Sequence, residues 1–89
     1  MQYEWDENKR LANLRKHGLD FRDAPRVLEG PILSAEDSRF AEVRYFCIGL
    51  LKDFVVVVAY TYRGDVTRII SMRKATTHER KKFLERFSH

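Results

Sequence analysis

The side chains with chemistry to offer are few: His17, His78 and His89, the lone Cys47, and the arginines Arg63, Arg68 and Arg73. His17 sits in Lys16-His17-Gly18 at the end of a helical pattern. There an imidazole either complements the helix dipole and caps free carbonyls, or serves as a titratable general acid or base. Arg63 ends one strand pattern, Arg68 lies within the next, and Arg73-Lys74 closes it. Strand arginines either fork onto phosphate oxygens, or snorkel into water and pair with acids such as Asp65 and Glu42. Strict alternation along this last strand points Arg68, Ile70, Met72 and Lys74 one way and Ile69, Ser71 and Arg73 the other. Each face would then carry apolar residues and at least one cation.

Other chemistries find little support. No His-x-x-x-His or Cys-x-x-Cys spacing exists, so no zinc site is predicted, and no metal or cofactor is expected. The glycines at 18, 30, 49 and 64 stand alone and form no phosphate loop. Cys47 lies in an apolar strand without a basic neighbour, which marks it as core rather than nucleophile. Glu79 is explained by a Thr76-x-x-Glu79 capping box. Arg80, Lys81, Lys82 and Arg86 read as the solvated face of a helix. Trp5, Tyr60 and Tyr62 could stack bases, although aromatics beside a sheet more often belong to a core.

The elements that must position these groups follow from periodicity and punctuation. Tyr3-Glu4-Trp5 is a short extended segment, and Asp6 caps a helix from about residue 7 whose stripe is Leu11 and Leu14 and whose end is Gly18. A second short helix runs from Phe21 or Ala24 to Leu28, with Asp23 the expected cap because Pro25 is tolerated only in a first turn. Ile32 to Glu36 is a short edge strand after Gly30-Pro31. Glu42 to Leu51, Phe54 to Tyr62 and Val66 to Met72 form a meander with turns at Lys52-Asp53 and Arg63-Gly64-Asp65. The middle strand is apolar on both faces and belongs inside the sheet. Phe83, Leu84 and Phe87 give the stripe of a last helix. The expected fold is α+β: two N-terminal helices, an antiparallel meander of three to four strands, and a C-terminal helix.

Size and charge narrow the function. The 89 residues suffice for one domain, residues 1–89, and 44% apolar content supplies a single core. The longest apolar run, Phe54 to Tyr60, is far shorter than a membrane span, and no charged start precedes an apolar stretch. One cysteine fits a reducing compartment, so a cytoplasmic protein with no membrane partner is expected. Residues 1–60 carry nine basic and ten acidic side chains, whereas residues 61–89 carry eight and three. The net +5 of that last third suits a polyanion, or simply a solvated basic helix.

Taken in order, several segments resemble the BrnT family of ribonuclease toxins, the toxin half of type II toxin–antitoxin pairs. They are Glu4-Trp5-Asp6 with Asn8-Lys9, Asn13-Leu14-Arg15-Lys16-His17-Gly18, Phe21, Glu42-Val43-Arg44-Tyr45 with Ile48-Gly49, Tyr62-Arg63-Gly64-Asp65, Arg68-Ile69-Ile70-Ser71, Arg73-Lys74-Ala75-Thr76 and Glu79-Arg80. Met72 departs from a position where the family often has a small residue, and Phe83 from one where tyrosine is frequent. The resemblance implies a RelE-like fold and metal-independent cleavage of RNA. It also implies neutralisation by a cognate ribbon-helix-helix antitoxin, with promoter DNA bound only through the antitoxin complex. Carried over residue by residue, the implied catalytic set is His17, Arg63, Arg68 and Arg73, with Lys16, Lys74 and Arg80 on the RNA. On that expectation His17→Ala abolishes or strongly reduces cleavage while leaving the fold intact. The alternative is a non-catalytic module that binds nucleic acid or a partner through its basic C-terminal third.

Overall fold

A computed structural model describes residues 1–39 and 41–87; Phe40, Ser88 and His89 lie outside the described residues. The chain runs β1 (Gln2–Trp5), α1 (Glu7–His17), a 3-10 turn (Phe21–Asp23), α2 (Ala24–Leu28), β2 (Ile32–Asp37), β3 (Arg44–Leu51), β4 (Phe54–Arg63), β5 (Val66–Lys74) and α3 (Thr77–Phe87). The fold is α+β as expected, but the sheet has five strands in the order β1-β5-β4-β3-β2 and is mixed. Strands β2 to β5 form the antiparallel meander, while β1 adds itself parallel to β5, pairing Gln2 with Val66 through Trp5 with Ile69. A strand and hairpins were readable locally; a parallel pairing across more than 60 residues was not.

One face of the sheet is sealed by the first helices. Leu19, Phe21, Ala24 and Val27 pack in one buried cluster with Cys47, Val56, Val58, Tyr60, Ile69 and Met72. Phe21, Val27, Val56 and Val58 have no exposed surface, and each such side chain stabilises the fold by about 1.5–3 kcal/mol relative to exposure. The close approach of α2 depends on Gly49: a Cβ there would stand 2.7 Å from the Val27 Cγ1 and 3.0 Å from the Ile32 Cγ2.

Helix α1 starts at Asp6, whose carboxylate accepts from the Lys9 N–H at 3.1 Å, and ends at Gly18 in the left-handed region with φ 70°. Its inward stripe is not the one expected. Leu11 and Leu14 are 41% and 37% exposed, while Asn13 is buried and Arg10 and His17 are half-buried. The cause is polar: Asn13 Nδ2 donates to the Leu19 carbonyl at 3.0 Å and its Oδ1 accepts the Met72 N–H at 3.2 Å. Asn13 thereby satisfies β5 backbone beyond the end of β1, and this outweighs the burial of two leucines. The cap expected at Asp23 makes no side-chain bond, and Asp20 instead accepts from the Arg22 N–H at 2.9 Å to open the 3-10 turn.

Candidate functional site: an arginine-bearing sheet face

The opposite face of the sheet is where the cations gather, and a bulge puts them there. Along β4 and β5 the partners run Val57 with Arg73, Val58 with Met72 and Ala59 with Ser71, then shift so that Tyr60 meets Ile69 and Thr61 meets Arg68. Ile70 is the extra residue. It reverses the alternation, so Ile69 and Met72 both enter the helix-covered core, and Arg68, Ser71 and Arg73 all point away from it. This corrects the strict alternation expected from sequence, which separated Arg68 from Arg73. Arg63 shares the face through Thr61, two residues before it on β4.

The arginines are held by carboxylates. Glu4 lies opposite Arg68 in the β1–β5 register, and its Oε2 accepts from the Arg68 Nη1. Arg73 donates from Nη1 and Nη2 to the two carboxylate oxygens of Glu79 at 2.7 and 2.9 Å. Arg63 is looser, with its Nε 3.9 Å from the Glu42 Oε2. Glu79 also closes the expected capping box, accepting from the Thr76 N–H at 2.8 Å while its own N–H donates to the Thr76 Oγ1 at 3.2 Å. The Arg73 guanidinium holds the Glu79 carboxyl well below the usual range, at about 2.

Helix α3 covers only one end of this face, anchored by the buried Phe83. Between α3 and the sheet lies a cleft of about 570 Å³. Its floor is Leu33, Ala35, Phe46, Ile48 and Val57, and Arg73, His78, Glu79 and Lys82 reach its wall. Of the expected α3 stripe only Phe83 is buried, with Leu84 40% and Phe87 36% exposed.

His17, Lys16 and Lys74 are not on this face, and Arg80 sits on α3. His17 is half-buried on α1, and among the described residues no hydrogen bond or ion pair links it to Arg63, Arg68 or Arg73. Lys16 is exposed on the same helix, and Lys74 lies over the Phe54 ring at 4.6 Å. Arg80 is exposed beside Leu84 on α3. The aromatic candidates are on the helix side too: Tyr45, Tyr60 and Tyr62 form a trio with centroids 5.2 to 5.7 Å apart, and the Trp5 indole donates to Glu7 at 3.1 Å. Cys47 is fully buried and its thiol is pushed up to about 11 by burial, in keeping with a core role.

Glu4 joins the arginines on this face, although the sequence pattern does not single it out. Only its direction is readable, because in a Tyr3-Glu4-Trp5 strand the carboxylate must point away from two aromatics.

An α+β domain with a guarded row of arginines has the makings of a polyanion-binding protein, and the sequence comparison gives the class. The profile of the ribonuclease toxin BrnT of type II toxin–antitoxin systems matches residues 5–79, so the chain belongs to the BrnT family. A toxin role, ribonuclease activity, an RNA substrate and an antitoxin partner come with that membership. No curated protein matches it. No helix among the described residues is long and apolar enough to cross a membrane.

Proposed function

We propose that the protein cuts RNA without a metal ion, by attack of a 2′-hydroxyl on the adjacent phosphate across the arginine face, leaving a cyclic phosphate and a free 5′-hydroxyl. The observation that carries this reading is the Ile70 bulge, which sets Arg63, Arg68 and Arg73 on one side of the sheet. A phosphorane-like transition state gains charge, and fixed guanidinium donors facing it lower the barrier. Arg68 and Arg73 are four partner positions apart on β4, about 13 Å at ~3.3 Å per residue. A row of that length suits successive phosphates of one bound strand better than a single clamp. In this reading Arg68 and Arg63 hold the reacting phosphate, and Arg73 a neighbouring one after exchanging Glu79 for RNA. His17 closes α1 instead of acting on the phosphate. Lys16, Lys74 and Arg80 contribute long-range attraction at most.

The fold, with helices on one face and a partly uncovered sheet on the other, is consistent with the RelE-like fold that the BrnT resemblance implies. The antitoxin is of the ribbon-helix-helix kind, promoter DNA is reached only through it, and the protein acts in the cytoplasm. The test is antitoxin-free protein with total RNA in EDTA, beside Arg68→Ala. Cleavage that persists in EDTA, leaves cyclic phosphate ends and disappears in the variant is expected. RNA shifted in a gel without being shortened would favour the non-catalytic binding module instead.

A further inference from the structure

Metal-free cleavage needs a group to take the 2′-hydroxyl proton, and the arginine face offers few. Two acids there are already engaged, and a third is loosely paired. Glu79 is tied to both Arg73 nitrogens and to the Thr76 N–H. Asp37 accepts from the backbone and side chain of Arg39. Glu42 is only loosely placed, 3.9 Å from Arg63. The acids next to β1 also have other duties, since Asp6 caps α1 and Glu7 accepts from Trp5 and Arg10. Glu4 differs. Among the described residues its one side-chain bond is to Arg68, the β1–β5 register sets it on the same face as the arginines, and its side chain is 37% exposed.

We infer that Glu4 is the proton acceptor of the cleavage reaction, working as a pair with Arg68. This rests on the ribonuclease reading above. The Glu4 carboxylate removes the proton of the 2′-hydroxyl, and the 2′-oxygen forms a bond to phosphorus. The bond from phosphorus to the 5′-oxygen breaks, and that oxygen takes a proton from water. Glu4 then returns its proton to solvent, so nothing is consumed. Arg68, already on the carboxylate, is placed to donate to the phosphate oxygens as the charge on them grows. The charged groups facing Glu4 are Arg68 on β5 and, two positions further along the same face on β4, Arg63 with its partner Glu42.

The rival role is structural, with the ion pair merely fastening β1 to β5. Glu4→Gln separates the two, because its amide oxygen still accepts from Arg68 while the basic oxygen is gone. The assay uses naked total RNA and RNA on translating ribosomes, with wild type, Glu4→Gln and Glu4→Asp in parallel, and follows kcat, KM and thermal midpoint. For Glu4→Gln, kcat should fall about 10²–10⁴-fold, with KM within a few-fold and the midpoint unchanged. The rise of wild-type kcat/KM with pH on the acid side should vanish. Glu4→Asp, which keeps the carboxylate on a shorter stem, should recover part of the activity. A folded Glu4→Gln variant that keeps both wild-type kcat and the acid limb overturns the assignment while leaving the ribonuclease reading in place. Wild-type protein that leaves both RNA samples uncut removes the ribonuclease reading, and this assignment with it.

Discussion

The two faces of the sheet are built on opposite terms. On the helix side, Phe21, Val27, Val56, Val58, Ile69 and Met72 are sealed by the first helices. On the other side, α3 covers one end, and the strand arginines are neutralised one by one by Glu4, Glu79 and Glu42. The first arrangement gains stability from area removed from water, which no ligand can exchange. The second consists of exposed or half-exposed ion pairs, each worth little to the fold and each exchangeable for a phosphate. Stability therefore belongs to one face, and the chemistry we propose belongs to the other.

Substitutions on each face should separate these roles. The largest effect is expected from Phe21→Ala, which leaves a cavity under α2 and costs about 3–5 kcal/mol. In a domain of this size that lowers the thermal midpoint by about 15–30 °C, and cleavage is lost only as the protein unfolds. Calorimetry checks this; a midpoint within a few degrees of wild type would mean the core does not depend on the helix layer. Next comes Arg68→Ala, expected to lower turnover by about 10²–10³-fold while leaving the fold intact. The matched control is His17→Ala on the helix side, where turnover should stay within about tenfold of wild type. If His17→Ala were instead as inactive as Arg68→Ala, with its circular dichroism unchanged, the end of α1 would have to reach the reacting phosphate.

A smaller effect distinguishes the two layers by pH. Each has a carboxylate pulled down to about 2: Asp20 on the helix side, by hydrogen bonds from Arg22 and Arg10, and Glu79 in the first turn of α3, by Arg73. Both folded values are depressed, so the stability they supply is fully present above the unfolded values near 4 and is lost as pH falls toward 2. Of their arginine partners, Arg22 is 67% and Arg73 41% exposed, while Arg10 is 12% exposed. Solvent screening thus leaves each pair only a small contribution. Thermal scans at pH 3 and pH 7 should show a lower midpoint in acid. Asp20→Asn and Glu79→Gln should each remove part of that difference. A midpoint that does not respond to acid would show both pairs to be energetically silent.

Much of this was legible in the residues. The apolar run of β4, the Gly18 stop and the Thr76-to-Glu79 capping box each depend on local chemistry, and each is where periodicity put it. The helix stripe of α1 was not legible, because Asn13 is inward for bonds to Leu19 and Met72, and no hydrophobic pattern encodes these. The arginine face was half legible. The residue types were plain, but which of them share a side depends on one extra residue against the neighbouring strand.

That dependence can be tested at Ile70 itself. Deleting Ile70 would join Ile69 to Ser71, and the pairs Tyr60 with Ile69 and Ala59 with Ser71 would follow one another in a regular ladder. The arginines would remain on one face and the core residues on the other, because the deletion removes the shift and the extra residue together. The loss is confined to a half-buried isoleucine and the local twist that a bulge adds. The variant should fold, with a midpoint lowered by a few degrees, about 1 kcal/mol, and should cleave RNA within about tenfold of wild type. Substituting Ile70 by Gly keeps the extra residue and should change even less. A deletion variant that folds but no longer cuts RNA would show that sharing a face is not enough, and that the bend at the bulge aims Arg68 at its phosphate.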